Sequence, residues 1–400
     1  MIYYWLLGVS VLTVVSFAFN RISSKIRIPS VLLLMGLGVV IQFVSHLYMD
    51  NTEVLVASSL KVLGTLGLIF IVLEGALDLS LSKEKLGVAG KAFAAAIVIF
   101  SITAALAAGL FLWLMDISLQ SALAYAIPLS IISSAIAIPS TLHLKADTRE
   151  FVVYESIFCD IIGILAFKYV ILPNPSVLGI AQHFATDVLV IVPVTALFLI
   201  ATLVFLQFSN AAVKWIPLLA IITAVYAVTM IFHLPALLLI LAFGVTLKNR
   251  TLFSKKIGAV FNMRKLDRAT YELKIFVSEL SFLIRTFFFI VFGFTLPLKS
   301  FLNPQGLAMG AAVFLVIGTV RFVSLRYILK TNFLQELLIA PRGLVTVILF
   351  FSIPLQLQHH AFSNDIIYFV IIASSLVMMV SFVFYKKPYK EYVVKVKRRF

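Results

Sequence analysis

The chain has 400 residues, of which 62% are hydrophobic and 12% charged, and its mean hydropathy is +1.11. This composition excludes a soluble globular domain and indicates a protein with many membrane-spanning helices. The formal net charge is +15, but the basic residues lie mainly between apolar segments, so the expected partner is the lipid bilayer and not nucleic acid. The single cysteine, Cys159, excludes an internal disulfide and a thiolate metal cluster.

Apolar segments follow one another along the whole chain. The first begins at Ile2 without a basic leader or a small-residue cleavage site, so we expect a retained helix and not a signal peptide. Hydropathy predicts thirteen spans, at residues 2–20, 29–46, 58–77, 90–115, 120–142, 150–172, 184–207, 213–231, 234–248, 272–297, 305–329, 334–357 and 364–386.

Basic residues are concentrated in alternate loops. Most of the 32 Lys and Arg residues lie on one side, in the loops after the odd-numbered spans or at their edges, and in the tail. The positive-inside rule therefore predicts an outer N-terminus and a cytoplasmic C-terminus in a bacterial inner membrane. The strict alternation also supports thirteen spans, because an added or omitted helix would mix the two sides.

Two spans contain residues that interrupt a helix. The fifth contains Ser133, Ser134 and Pro139, and the twelfth contains Pro341-Arg342-Gly343. These are the fifth helices of two sets of six, and they run in opposite directions. The pattern predicts two inverted six-helix repeats with discontinuous helices, as in secondary transporters, although two ordinary proline kinks are the alternative.

The predicted organisation is one transporter domain over residues 1–400. Repeat one covers about 1–172, a linker helix about 184–207 and repeat two about 213–386, and a short basic cytoplasmic tail follows at 387–400.

Charged residues inside the spans are the candidate functional residues. Asp160 lies near the middle of the sixth span, where an ionised carboxylate is costly, so it is predicted to bind an ion or relay a proton. The alternative is a permanently protonated carboxyl group bonded to a neighbouring helix. Glu155 and Arg321 lie at comparable depths and are predicted to form a buried pair, because arginine cannot lose its charge. Arg342 is predicted to face unwound carbonyl groups or a carboxylate.

Five further ionisable residues are weaker candidates for a functional role. Glu279 and Arg285 share the tenth span without facing each other, and either a functional or a packing role is open for them. Lys168 is expected to extend towards the outer membrane surface. Glu74 and Asp78 are expected to be solvated at the inner end of the third span.

The chain resembles, over essentially its whole length, the monovalent cation:proton antiporters of the NhaP-like sodium/proton exchanger type. The likeness rests on segments 27–36 and 68–75, on Glu155-Ser156 followed by Asp160, on Arg321, and on Pro341-Arg342-Gly343. It implies an all-α polytopic fold of about thirteen helices, with two inverted repeats whose broken helices cross at the midplane, as in the NhaA/NapA-like antiporter fold. It also implies a homodimer.

Two positions depart from the pattern of that family. Cys159 stands where the family has asparagine, and thiol sulfur is a poor ligand for alkali cations. Ala135-Ile136-Ala137 replaces the family's Thr-Asp at the first break, and the surrounding residues resemble Kef-type potassium/proton systems. The site therefore has one carboxylate fewer than is typical.

The resemblance implies secondary exchange of Na+ or K+ for protons, with a role in pH homeostasis and no cofactor besides the transported ions. Asp160 would bind the proton or the metal cation in turn. Further oxygen ligands would come from three serines, Ser133, Ser134 and Ser156, and a structural charge network from Glu155, Arg321 and Arg342. In electrogenic relatives a lysine stands at the position of Arg321. A guanidinium stays protonated, so electroneutral exchange is expected.

Several alternatives are open from the sequence. A Kef-like potassium efflux channel or antiporter would fit the first break, and a transport-dead sensor would fit the missing aspartate. An intramembrane hydrolase or transferase is disfavoured, since neither Gly-x-Ser-x-Gly nor His-Glu-x-x-His occurs, and the chain is expected not to be an enzyme. The choice among Na+, K+ and Li+ is open.

Overall fold

The computed structural model describes residues 2–26, 28–45, 53–80, 85–141, 144–173, 177–208, 215–232, 234–249, 262–296, 303–329, 333–359 and 362–384. Within these ranges the chain forms helices and no strand. The α-helices are α1 (Ile2–Ile26), α2 (Ser30–Ser45), α3 (Glu53–Asp78), α4 (Leu86–Leu114), α5 (Leu119–Ser130), α6 (Ser134–Ser140), α7 (Ala146–Val170), α8 (Val177–Phe208), α9 (Trp215–Ile231), α10 (Ala236–Lys248), α11 (Met263–Phe294), α12 (Pro304–Val323), α13 (Phe333–Leu338), α14 (Leu344–Phe351) and α15 (Asp365–Phe384).

Each of the thirteen predicted spans contains helix in the described residues, so the all-α polytopic architecture is confirmed. Within the described ranges, five helical units are long and apolar enough to cross a membrane by length and composition: α4, α5 with α6, α8, α11, and α12 with the π-helical turn that continues it to Ile328. Helices are the expected form for such segments, because lipid offers no hydrogen-bond partners to an open backbone.

The predicted boundaries are wrong at the start of the tenth span. This span was expected to begin at residue 272, whereas α11 begins at Met263. The side chain of Asn262 caps the helix by accepting a hydrogen bond from the Lys265 amide at 3.2 Å. The first turns of α11 carry several charged residues, so hydropathy alone places the start of the helix too late.

The two predicted helix interruptions are present. α5 ends at Ser130 and α6 starts at Ser134, with extended backbone at Ile131 and Ser133. Residues 339–343 separate α13 from α14 and include the predicted Pro341-Arg342-Gly343. Pro139, however, lies inside α6 and does not form the first break.

The two interrupted segments meet in the protein interior. The backbone amide of Ser133 donates to the Pro341 carbonyl oxygen at 2.8 Å. A Cβ at Gly343 would lie 2.5 Å from Ile136 Cδ1 and 2.9 Å from Ser133 Oγ, so a larger residue would force these side chains to shift. The two interrupted segments are therefore joined by a backbone hydrogen bond and by close side-chain packing.

Two hydrophobic cores lie side by side. The larger contains buried residues of α2, α4 to α7, α12, α14 and α15. The smaller contains buried residues of α8, α9 and α10. Two helices, α3 and α11, contribute buried residues to both cores, so the helix crossing lies in the larger core next to this shared helix pair.

Candidate cation-binding site

Asp160 lies on α7 beside the first break and is only 2% exposed. Its Oδ2 accepts a hydrogen bond from the backbone amide of Ser134 at 3.2 Å, and the Ser134 hydroxyl also bonds the carboxyl group. Its Oδ1 has no hydrogen-bond partner in the described part of the chain. One oxygen is therefore held by α6 while the other is available to a ligand.

The other two predicted serines lie close to this carboxylate in the fold. Ser133 Oγ is buried at the helix crossing and lacks a hydrogen-bond partner among the described residues. Ser156 lies one turn before Asp160 on α7, and its hydroxyl donates to the Val153 carbonyl at 3.0 Å. The Ser156 oxygen therefore keeps its lone pairs for another partner. Cation binding by these serines stays a prediction.

Cys159 connects α7 to the first break through hydrogen bonds. Its Sγ accepts a hydrogen bond from the Ile132 amide at 3.3 Å and lies 3.9 Å from the Ser130 carbonyl oxygen, to which it donates. Close packing supports this contact, because a Cβ at Gly163 would lie 2.3 Å from Ile131 Cδ1. The residue that replaces the family's asparagine thus satisfies backbone groups of the break.

Arg342 faces unwound carbonyl groups, as predicted. Its Nε donates to the Leu129 carbonyl at 3.0 Å and its Nη1 to the Ala340 carbonyl at 2.7 Å, with Nη2 3.5 Å from the Ser130 carbonyl. These contacts place a cation at the C-terminal end of α5, where the carbonyls lack intrahelical donors. Arg342 therefore stabilises the break electrostatically.

The predicted contact between Glu155 and Arg321 is present. Two hydrogen bonds of 2.7 and 2.9 Å join the carboxylate and the guanidinium, whose residues are 0% and 2% exposed. Arg321 Nε and Nη2 also donate to the Glu336 carbonyl oxygen at 3.1 and 2.6 Å. This network connects α7, α12 and α13 inside the larger core.

Two charged residues near the site, Glu74 and Arg285, form contacts that the sequence did not predict. Glu74 was expected to be solvated, but its side chain is 16% exposed and its Oε2 lies 3.8 Å from Arg285 Nη2. Arg285 Nη1 donates to the Ala135 carbonyl at 2.5 Å, next to the residue that holds Asp160. Glu279, by contrast, is exposed.

Two other expectations about charged residues are wrong. Lys168 does not extend alone towards the membrane surface, because it forms an ion pair with Asp187 of α8, which also accepts a bond from the Tyr169 hydroxyl. Asp78 is not simply solvated, because it pairs with Lys274 of α11. Both pairs form because a charge at the edge of an apolar segment is stabilised by a nearby opposite charge.

The described residues contain no group of three or more His, Cys, Asp or Glu side chains that could hold a metal ion. The site at Asp160 instead offers one carboxylate together with hydroxyl and backbone oxygens. Oxygen ligands of this kind suit hard monovalent cations.

Interrupted helices that cross in the protein interior are typical of one class of protein, the membrane-embedded secondary transporters. The chain belongs to the family described as sodium/hydrogen exchanger, transmembrane, which matches residues 9–386. It is therefore a multi-pass membrane protein.

Two solved structures of the sodium proton antiporter MjNhaP1 from Methanocaldococcus jannaschii have the same fold. The structure at pH 8 is 20% identical, with a TM-score of 0.70 and coverage of 96% of both chains. The electron-microscopy structure is 18% identical, with a TM-score of 0.65 and coverage of 96% of this chain and 95% of the other. No curated protein matched the chain.

Proposed function

We propose that this chain exchanges a monovalent cation, Na+ or K+, for protons across the cell membrane, and that Asp160 is the exchange site. One observation carries the proposal: Asp160 is 2% exposed beside the helix crossing, with one carboxylate oxygen bonded to Ser134 and the other without a hydrogen-bond partner among the described residues. Membership of the sodium/hydrogen exchanger family supports the same conclusion.

Exchange follows from competition for this one carboxylate. Asp160 binds either a proton or an alkali cation, and each neutralises its charge. An empty, ionised Asp160 would have to change its exposure across the apolar barrier without compensation, which is costly. The site therefore crosses only when it is loaded, and each proton moved one way requires a cation moved the other way.

The surrounding groups have distinct roles in this proposal. Ser133, Ser134 and Ser156 supply oxygen atoms around the cation. Glu155 and Arg321 hold their helices in register, and Arg342 compensates the partial negative charge of the carbonyls at the end of α5. None of these last three groups needs to bind the transported ion.

Exchange is expected to be electroneutral. Asp160 carries one positive charge at a time, Glu155 is held ionised by its two bonds to Arg321, and the guanidinium stays protonated. Exchange rates in proteoliposomes should therefore not respond to a potential clamped with potassium and valinomycin, with Na+ or Li+ as substrate. A steady current during turnover on a solid-supported membrane would contradict this stoichiometry and indicate a second titrating group.

The functional unit is expected to be a homodimer in the cell membrane, with the N-terminus outside and the C-terminus in the cytoplasm. This expectation comes from the family resemblance and from the distribution of basic loops. Mass measurement in mild detergent should give twice the mass of the chain. A species of 44.3 kDa alone would count against the dimer.

A Kef-like potassium efflux function is the second candidate. It is favoured by Ala135-Ile136-Ala137, which leaves the first break without a second carboxylate. Proton flux measured in proteoliposomes, with each alkali cation added in turn, tests both functions. Saturable flux that requires protons supports exchange, cation leak without proton coupling supports a channel, and the lack of any flux supports a sensor.

A further inference from the structure

Cys159 is the only cysteine of the chain, and its thiol lies against the first break. The residue is buried, and its Sγ accepts a hydrogen bond from the Ile132 amide at 3.3 Å. The thiol donates in turn to the Ser130 carbonyl oxygen, but the sulfur and the oxygen are 3.9 Å apart. An S–H group is a weak donor, so this last contact holds the thiol only loosely.

The Ser130 carbonyl oxygen takes part in two long contacts. Besides the thiol, Nη2 of Arg342 lies 3.5 Å away, which exceeds the usual length of an N–H···O hydrogen bond. A sulfur and an oxygen 3.9 Å apart can be bridged by one metal ion, since the bonds of zinc to such atoms are each about 2.0–2.3 Å long. The thiol proton therefore occupies a place that a metal ion can take.

A carboxylate that attracts cations lies beside this thiol. Asp160 follows Cys159 on α7, is 2% exposed, and has one oxygen without a hydrogen-bond partner among the described residues. Its other oxygen bonds the Ser134 amide, and the Ser134 nitrogen is no more than about 7 Å from the Ile132 nitrogen that Cys159 contacts. Asp160 and Cys159 also interact electrostatically. A cation drawn to Asp160 therefore arrives next to the sulfur.

We propose that the site also binds soft monovalent cations such as Ag+, with the Cys159 sulfur and the Ser130 carbonyl oxygen as ligands. Thiolate sulfur prefers soft metal ions, whereas the alkali cations prefer oxygen. As the S–Ag bond forms, the S–H bond breaks, the sulfur keeps the electron pair, and the proton passes to water without any change of oxidation state. This inference rests on the proposed function, because Ag+ reaches the thiol by the route of the transported cation to Asp160.

Bound Ag+ is an inhibitor and not a substrate. The alkali cation leaves the site because its oxygen ligands hold it weakly enough to exchange with a proton, whereas the S–Ag bond does not open in this way. The metal ion also ties α7 to the end of α5, where only the weak S–H contact joins the Cys159 sulfur to the Ser130 carbonyl oxygen. Both effects stop the cycle of exchange.

The first test is proton flux in proteoliposomes with Na+, K+ or Li+ as substrate and silver nitrate added in a chloride-free buffer. Ag+ should abolish exchange by the wild type, and an excess of the substrate cation should protect it. Cys159→Ser replaces the sulfur by a hydroxyl oxygen, so exchange by this variant, measured against its own rate without Ag+, should persist. If Cys159→Ser does not fold, Cys159→Asn takes its place. Equal inhibition of the wild type and the variant overturns the inference.

The second test measures binding without transport, by intact mass in mild detergent. The wild type should bind one Ag+ more than Cys159→Ser, and the difference is needed because methionine and histidine side chains bind Ag+ in both proteins. Asp160→Asn should slow the capture of this extra ion, whereas the control Asp187→Asn should not. Equal numbers of bound Ag+, or capture that neither Asp160→Asn nor excess alkali cation slows, overturns the inference.

The two tests separate this inference from the proposed function. Wild-type protein that captures Ag+ on Cys159, with protection by alkali cations, but moves no protons would refute exchange and support the soft-cation site. Exchange that Ag+ does not inhibit through Cys159 would overturn the inference and leave the proposed function standing.

Discussion

Replacing Asp160 by asparagine is expected to abolish cation-dependent proton movement while the protein remains folded. The asparagine side chain has almost the same shape, and its oxygen can still accept the Ser134 amide that now bonds Asp160 at 3.2 Å. An amide cannot ionise, so it neither carries a proton nor neutralises an alkali cation. The measurement is proton flux in everted vesicles or proteoliposomes with Na+, K+ and Li+ added in turn.

Asp187→Asn provides the matched control. Asp187 is also a buried carboxylate on an apolar helix, but it pairs with Lys168 and lies outside the proposed exchange site. Its variant should keep the exchange, since no step of the proposed cycle uses it. Flux in Asp160→Asn at more than a few per cent of wild type, in protein with a normal melting temperature, would refute Asp160 as the exchange site.

The fold was predictable from sequence because lipid restricts the choice of structure. Apolar segments of sufficient length must become helices, and basic loops fix their alternation, so thirteen spans follow from hydropathy and charge. The places where the interrupted helices break were less predictable. Pro139 looked like a helix breaker, yet α6 begins five residues before it and contains it. Pro139 is the next-to-last residue of α6, so its missing N–H affects only the last turn of a short helix that has already formed.

Parts of the site were predictable for an equally physical reason. Arg321 and Arg342 cannot lose their charge, so each needs buried partners, and this requirement predicted Glu155 for one and backbone carbonyls for the other. The contact of Arg285 with Ala135 joins residues 150 positions apart, so it could be recognised only in the tertiary structure. One signal was present in the sequence: residues 274, 278, 281 and 285 of α11 are polar and recur at helical spacing, which indicates a polar face within an apolar span.

The second large expected effect concerns the stability of the Glu155–Arg321 pair. Removing one partner leaves an uncompensated buried charge, which typically costs about 3–5 kcal/mol. Glu155→Ala and Arg321→Ala should therefore each lower the melting temperature in detergent markedly. Arg321→Ala should also leave the Glu336 carbonyl without the two donors that Arg321 provides.

A double-mutant cycle separates the pair from its surroundings. Glu155→Ala/Arg321→Ala removes both charges, so its loss of stability should be smaller than the sum of the two single losses. The pair of Lys85 and Glu150 is the control, because it is much more accessible to solvent, with side chains 35% and 32% exposed. Exposed pairs contribute about 0–1 kcal/mol, so that cycle should be close to additive.

The size of the coupling energy decides between two descriptions of this network. If the bidentate contact holds α7 against α12, the coupling energy should be about 0.5–3 kcal/mol, and the double variant should retain part of the lost stability. Some loss must persist in the double variant, because the Glu336 carbonyl still lacks the donors from Arg321. Additive losses in the cycle would show that each residue is stabilised by its other contacts, and Arg321 would then act mainly by holding the end of α13.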